Sequence, residues 1–126
     1  MYKIPVSNGE IVDKFTILRI KLVKIKDTKK LSFIDKEFNL LSKYVNEIKK
    51  VSNIDNLINQ LQKVNEKLWN LEDLIRNKED EKQFDEEFIN IARNIYKNND
   101  TRCNIKLKIN MITDSKLREI KSYQIK

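Results

Sequence analysis

The chain has 126 residues, with 26 Lys and Arg against 19 Asp and Glu, one Gly, one Pro, one Cys and no His. That length supports one packed unit, and the missing histidine removes Ser-His and Cys-His nucleophile pairs, a histidine general base, and His-containing zinc or di-iron sites. The net charge of +7 rests on 21 lysines and only 5 arginines, a bias that serves solubility first and an anionic partner second.

The basic excess sits at the two ends. Residues 1–30 carry 8 basic and 3 acidic side chains and residues 102–126 carry 7 and 2, while residues 31–101 carry 11 and 14, leaving the middle slightly acidic. Cys103 has no second cysteine to pair with, and no apolar stretch is long enough for a signal peptide or a membrane span, which points to the cytoplasm. Gly9 and Pro5 both precede residue 10, so nothing beyond forces the backbone out of a helix, and the turn chemistry a sheet protein needs about every 8–12 residues is scarce.

Residues 1–7 read as an extended lead-in, with Pro5 holding Ile4 out of the helical region. Ser7-Asn8-Gly9-Glu10 matches a capping box, in which Ser7 would accept from the Glu10 amide and Glu10 would reach back to the Ser7 amide. A first helix follows over 8–26. Ile11, Phe15, Leu18, Leu22 and Ile25 recur at steps of 4, 3, 4 and 3, with Ile17, Ile20 and Val23 widening the stripe. Asp27 to Lys30 is a polar break, and Ser32 with Asp35 offers a cap for a second helix over 32–51 carrying Leu31, Ile34, Phe38, Leu41, Val45 and Ile48. Ser52-Asn53 favours a break over a continuous rod.

The third helix, over 54–79, has the most regular stripe: Ile54, Leu57, Leu61, Val64, Leu68, Leu71 and Ile75. Asp85 then caps a fourth helix over 85–112, with Phe84 placed to staple onto Ile89, and the short connection makes helices three and four antiparallel. The fourth stripe begins with Phe88, Ala92 (or Ile91) and Ile95 and ends with Ile105, Ile109 and Ile112. Between them the run Asn98-Asn99-Asp100-Thr101-Arg102 is either a helix break or a polar patch facing other helices. Residues 113–126 form a basic tail. The fold class is all-α: an antiparallel bundle of about four amphipathic helices with coiled-coil-like heptad seams in a single domain.

Three constellations could carry chemistry. Glu10 and Asp13, followed by Lys14, place two carboxylates one turn apart, a spacing that can share Mg²⁺ when a second such pair faces it. No second pair exists, and the helix-start roles of both acids are the simpler reading, so no metal or cofactor is expected. On the third helix, Glu72 and Arg76 are spaced for an ordinary ion pair beside Trp69 and Asp73. On the fourth, Arg93, Asn99, Asp100 and Arg102 interrupt the stripe together with Asn98 and Lys106, and Arg93 is placed to approach Asp73 or Glu72. Such a cluster can fix register or bind an anionic ligand.

The chain resembles an uncharacterised family of small bacterial and phage proteins, a domain of unknown function, sometimes encoded near genes for cell-surface polysaccharide synthesis. The resemblance is carried by Ile4-Pro5-Val6-Ser7 with Gly9-Glu10, Asp13-Lys14 with Thr16-Ile17-Leu18, Leu68-Trp69 with Glu72 and Asp73, Asn99-Asp100 with Arg102, and Lys121-Ser122-Tyr123. It brings no activity, and it implies that these polar segments form one feature.

The leading expectation is therefore a helical binding or assembly module without catalytic activity, forming a homodimer or engaging a protein partner through helix seams. The alternative is a small-ligand or enzymatic site for a phosphorylated or otherwise anionic compound, built from Glu10, Asp13, Lys14, Glu72, Asp73, Arg76, Arg93, Asn99, Asp100 and Arg102. Nucleic-acid binding ranks last, because the basic residues are mostly Lys and no aromatics are interleaved with them. Convergence separates the first two: scattered residues disfavour a site, and one shared concave surface makes a bare scaffold inadequate.

Overall fold

The computed structural model of the protein describes residues 1–117. Its elements are four helices, α1 (Asn8–Lys24), α2 (Thr28–Val51), α3 (Asp55–Asp80) and α4 (Glu86–Ile112), and the described residues contain no strand. Among these residues no helix is long and apolar enough to cross a membrane.

Each boundary has a local cause. The Ser7 hydroxyl accepts from the Glu10 amide, as the capping box requires, but the Glu10 carboxylate turns away from Ser7 and reaches Lys106 Nζ at 2.8 Å. α2 starts at Thr28 and not at 32, because Asp27 takes the amides of Lys29 and Lys30 and so makes an earlier cap than Ser32 could. Ser52, in extended conformation, ends α2, so α2 and α3 are separate helices. Asp85 caps α4 through the Phe88 amide, and Phe84 meets Phe88 edge-on. α4 runs without a break through Asn98 to Arg102, so that segment is a polar patch on a continuous helix.

The contacts set the directions of the helices. Phe15 stacks on Phe38 while Val12 and Val45 share the core, which makes α1 and α2 antiparallel. Asp13 and Thr16 meet Asn65, and α4 pairs with α1 in reverse order, from Asn8 with Thr113 to Asp13 with Arg102. The principal core joins Val12, Val45, Ile54, Ile58, Leu61, Val64, Leu68, Ile105 and Ile109, so all four helices contribute to it. α2 leans mainly on α1, and only Val45 along its whole length is buried. Two stripe positions fall outside: Val23 is exposed on α1 and Ile112 at the end of α4.

The tail begins in contact with the fold. Asn8 donates through its amide nitrogen to Ser115 Oγ and through its side chain to Thr113 Oγ1, and Gly9 N–H donates to Asn110 Oδ1 at 2.7 Å. With Ser7 accepting from Glu10 and Ile11, the first four amides of α1 are all satisfied, three of them by side chains. Gly9 is needed for this approach, since a Cβ there would lie 2.6 Å from the Lys106 carbonyl oxygen. The remainder of the basic tail, with Lys121-Ser122-Tyr123, lies outside the described residues.

Candidate functional site

Two polar rows meet where α1 packs against α4. Along α1, Glu10, Asp13 and Thr16 follow one another at helical spacing. Along α4, Arg102, Lys106 and Asn110 do the same, so an antiparallel crossing sets them opposite one another. Asp13 is fully buried and accepts two hydrogen bonds from the Arg102 guanidinium, through Nε at 2.9 Å and through Nη2. Asn65 of α3 donates to both Asp13 Oδ1 at 3.0 Å and Thr16 Oγ1 at 2.8 Å, and Thr16 donates to the Asp13 carbonyl. One turn earlier, Glu10 holds Lys106, whose side chain is 8% exposed. The acidic pair of α1 is therefore matched to an Arg and a Lys four residues apart on α4. Among the described residues no group of three or more His, Cys, Asp or Glu is arranged for a metal ion.

Beyond Asp13 the same surfaces diverge into an open cleft of about 450 Å³ between α1, α3 and α4. Ile17 and Ile20 come from α1; Asn65, Leu68, Trp69, Glu72, Asp73 and Arg76 from α3; and Asn99 and Arg102 from α4. The volume lies within the roughly 300–1,000 Å³ usual for small-molecule sites. Arg76 Nε donates to Glu72 Oε2 at 3.3 Å on the rim, the i,i+4 pair expected from spacing. Arg102 spans both features: Asp13 fixes its guanidinium from the buried side while the residue lines the cleft. A planar group clamped in this way is held in one orientation before any ligand arrives.

Five of the ten residues singled out from the sequence, Glu72, Asp73, Arg76, Asn99 and Arg102, line this one cleft. Asp13 supports it from behind, and Glu10 sits one turn farther away on Lys106. Lys14 and Arg93 are exposed and do not line it, and Arg93 makes no approach to Glu72 or Asp73. Asp100 is buried on α4 but is not among the lining residues. Asn98 faces a different shallow groove, shared with Lys67, Asn70, Leu71 and Asn94.

Asn65 and Ile20 escaped the reading of the site, and Thr16, Ile17 and Leu68 entered it only through the segments that carry the family resemblance. Asn65 had a signal: Leu61, Asn65, Leu68 and Glu72 follow at steps of 4, 3 and 4, so the row that enters the core at Leu61 carries a polar group straight into the cleft. Thr16 lay in plain view as a buried-face polar residue between Asp13 and Ile20, hidden by the more regular stripe beside it.

The family model for a family of unknown function, DUF6165, matches residues 2–126, and the chain belongs to that family. No curated protein and no solved structure matches it.

Proposed function

We propose that this member of the DUF6165 family is a small-molecule-binding protein whose site is the cleft between α1, α3 and α4. The observation that carries the reading is convergence: residues 34 positions apart in sequence, Leu68 and Arg102, meet in one concavity with Trp69, paired carboxylates, two guanidiniums and two amides on its wall. A bare scaffold gains nothing from gathering such groups in an open cleft, because each could be solvated more cheaply on a separate helix face.

The test is a nuclear magnetic resonance titration of the whole chain against nucleotides, sugars, phosphosugars and sugar nucleotides. The expected result is saturable shifts confined to amides around Ile17, Trp69, Asp73 and Asn99, lost in Arg76→Ala. Shifts spread over the surface, or none, would remove the site reading and return the chain to the class of assembly modules.

One observation favours a second, compatible reading as a self-associating module. Besides its seam toward α1, α2 carries Phe33, Leu40, Tyr44 and Val51 at steps of 7, 4 and 7, and these side chains are 46–83% exposed. A second copy would cover such a stripe. Sedimentation equilibrium tests it: a dimer that Leu40→Glu converts to monomer supports the seam, and a wild-type monomer at high concentration rejects it.

A further inference from the structure

Resting on that reading of the cleft, we infer that its ligand is an uncharged polyhydroxyl compound, a sugar-like ring with an apolar face, and not an anion. The inference comes from the charges around the concavity. The Arg102 guanidinium is engaged by the buried Asp13 carboxylate through two nitrogens, and Arg76 is engaged by Glu72. Asp73, which also lines the cleft and is exposed, takes no cationic partner among the described residues. Among the described residues both positive charges are therefore already matched, and the charge left over is negative. A phosphate or carboxylate entering here would share a guanidinium with the carboxylate that already holds it and face Asp73 at close range, and an ammonium would set a third positive charge beside Arg76 and Arg102.

The hydrogen-bonding inventory leads to the same class. Guanidiniums only donate, carboxylates only accept, and amides do both, so the wall formed by Arg76, Asp73, Glu72 and Asn99 presents both donors and acceptors. A hydroxyl donates once and accepts twice, and adjacent hydroxyls on a ring satisfy such a wall without bringing net charge. An anion offers acceptors alone and leaves Asp73 and Glu72 opposed to it. The floor beneath is apolar, with Ile17, Ile20 and Leu68 beside the half-buried Trp69, and it offers C–H surfaces a place to rest while the hydroxyls reach the wall.

Trp69 is the one tryptophan of the chain, so its fluorescence reports on this cleft directly. The full chain is titrated with glucose, galactose, mannose, N-acetylglucosamine and inositol, then with glucose 6-phosphate, inorganic phosphate, glucuronate and a simple amine such as glucosamine. The expected result is a saturable change with at least one neutral compound, weakened about tenfold or more by the exposed substitution Asp73→Ala, with its phosphorylated or carboxylated counterpart binding at least about tenfold more weakly. A phosphosugar or inorganic phosphate that binds as tightly as the best neutral compound overturns the ligand class but keeps the cleft, provided Arg76→Ala abolishes it. Silence from every neutral compound overturns the inference whatever the charged ones do. Silence from the whole panel, joined by the absence of localised shifts in the broader titration above, removes the cleft reading as well.

Discussion

Replacing Asp13 by Asn changes one oxygen to an amide nitrogen and keeps the shape, so its effect isolates the charge and one acceptor. In the native fold the carboxylate is 1% exposed and accepts from Arg102 twice and from Asn65 once. Removing one partner of a buried ion pair costs about 3–5 kcal/mol, because the other charge is left uncompensated. Two features reduce that figure. The Arg102 side chain keeps 30% exposure, so water can partly resolvate it, and Asn65 retains Thr16 Oγ1 as an acceptor. Against this, the new amide can face the guanidinium with only one acceptor and sets a donor against the other nitrogen.

The expected loss is about 2–4 kcal/mol. With a urea slope of about 1.5–2 kcal/mol/M, the denaturation midpoint falls by roughly 1–2.7 M, and the protein still folds. A double-mutant cycle with Arg102→Met should show a coupling of at least about 1.5 kcal/mol that survives high salt, since a pair this buried is poorly screened. A loss under about 1 kcal/mol, or losses that simply add, would refute the view that this pair is the joint between α1 and α4.

Gly9→Ala should lower the melting temperature by roughly 5–10 °C in a thermal scan: its Cβ would lie 2.6 Å from the Lys106 backbone oxygen, and parting two helices costs about 2–3 kcal/mol, more than alanine's helix preference of about 1 kcal/mol returns. Thr16→Val keeps the shape but removes the hydroxyl that links Asn65 to the Asp13 carbonyl, so it should lose about 1–2 kcal/mol by urea titration, and an unchanged midpoint would show that water substitutes for it. At the α3–α4 turn, Lys78 at 2.9 Å and then the Phe88 amide hold the Asp85 carboxyl below its ordinary value, while Asp85 and then Glu87 hold the Lys78 ammonium above its own. The Asp85 contribution is thus complete above about pH 4 and fades as pH falls through its depressed pKa; the Lys78 contribution is complete below about pH 10 and fades as pH rises through its raised pKa. Midpoints measured against pH should therefore show wild type and Asp85→Asn separated on the plateau and converging in acid.

Half of the candidate cleft was legible in the chain because polar residues interrupt two apolar stripes: Asn99 and Arg102 on α4, and Glu72, Asp73 and Arg76 beside Trp69 on α3. Which interruptions belong together was not legible. Arg93 satisfies the same pattern as Arg102, yet it lies nine residues earlier on α4 and ends on open surface. Glu10 and Asp13 looked fully explained as helix-start acids, and their true partners, Lys106 and Arg102, are about 90 residues away. No short-range signal encodes that distance.

The sequence by itself determined the helices, because hydrophobic periodicity, caps such as Ser7 and Asp85, and the absence of Gly and Pro act within a few residues. The tertiary structure decided the register of α1 on α4 and with it the cleft. Register depends on which buried charges find partners and on where a single glycine lets two backbones meet, and both are settled only when helices distant in sequence are packed together.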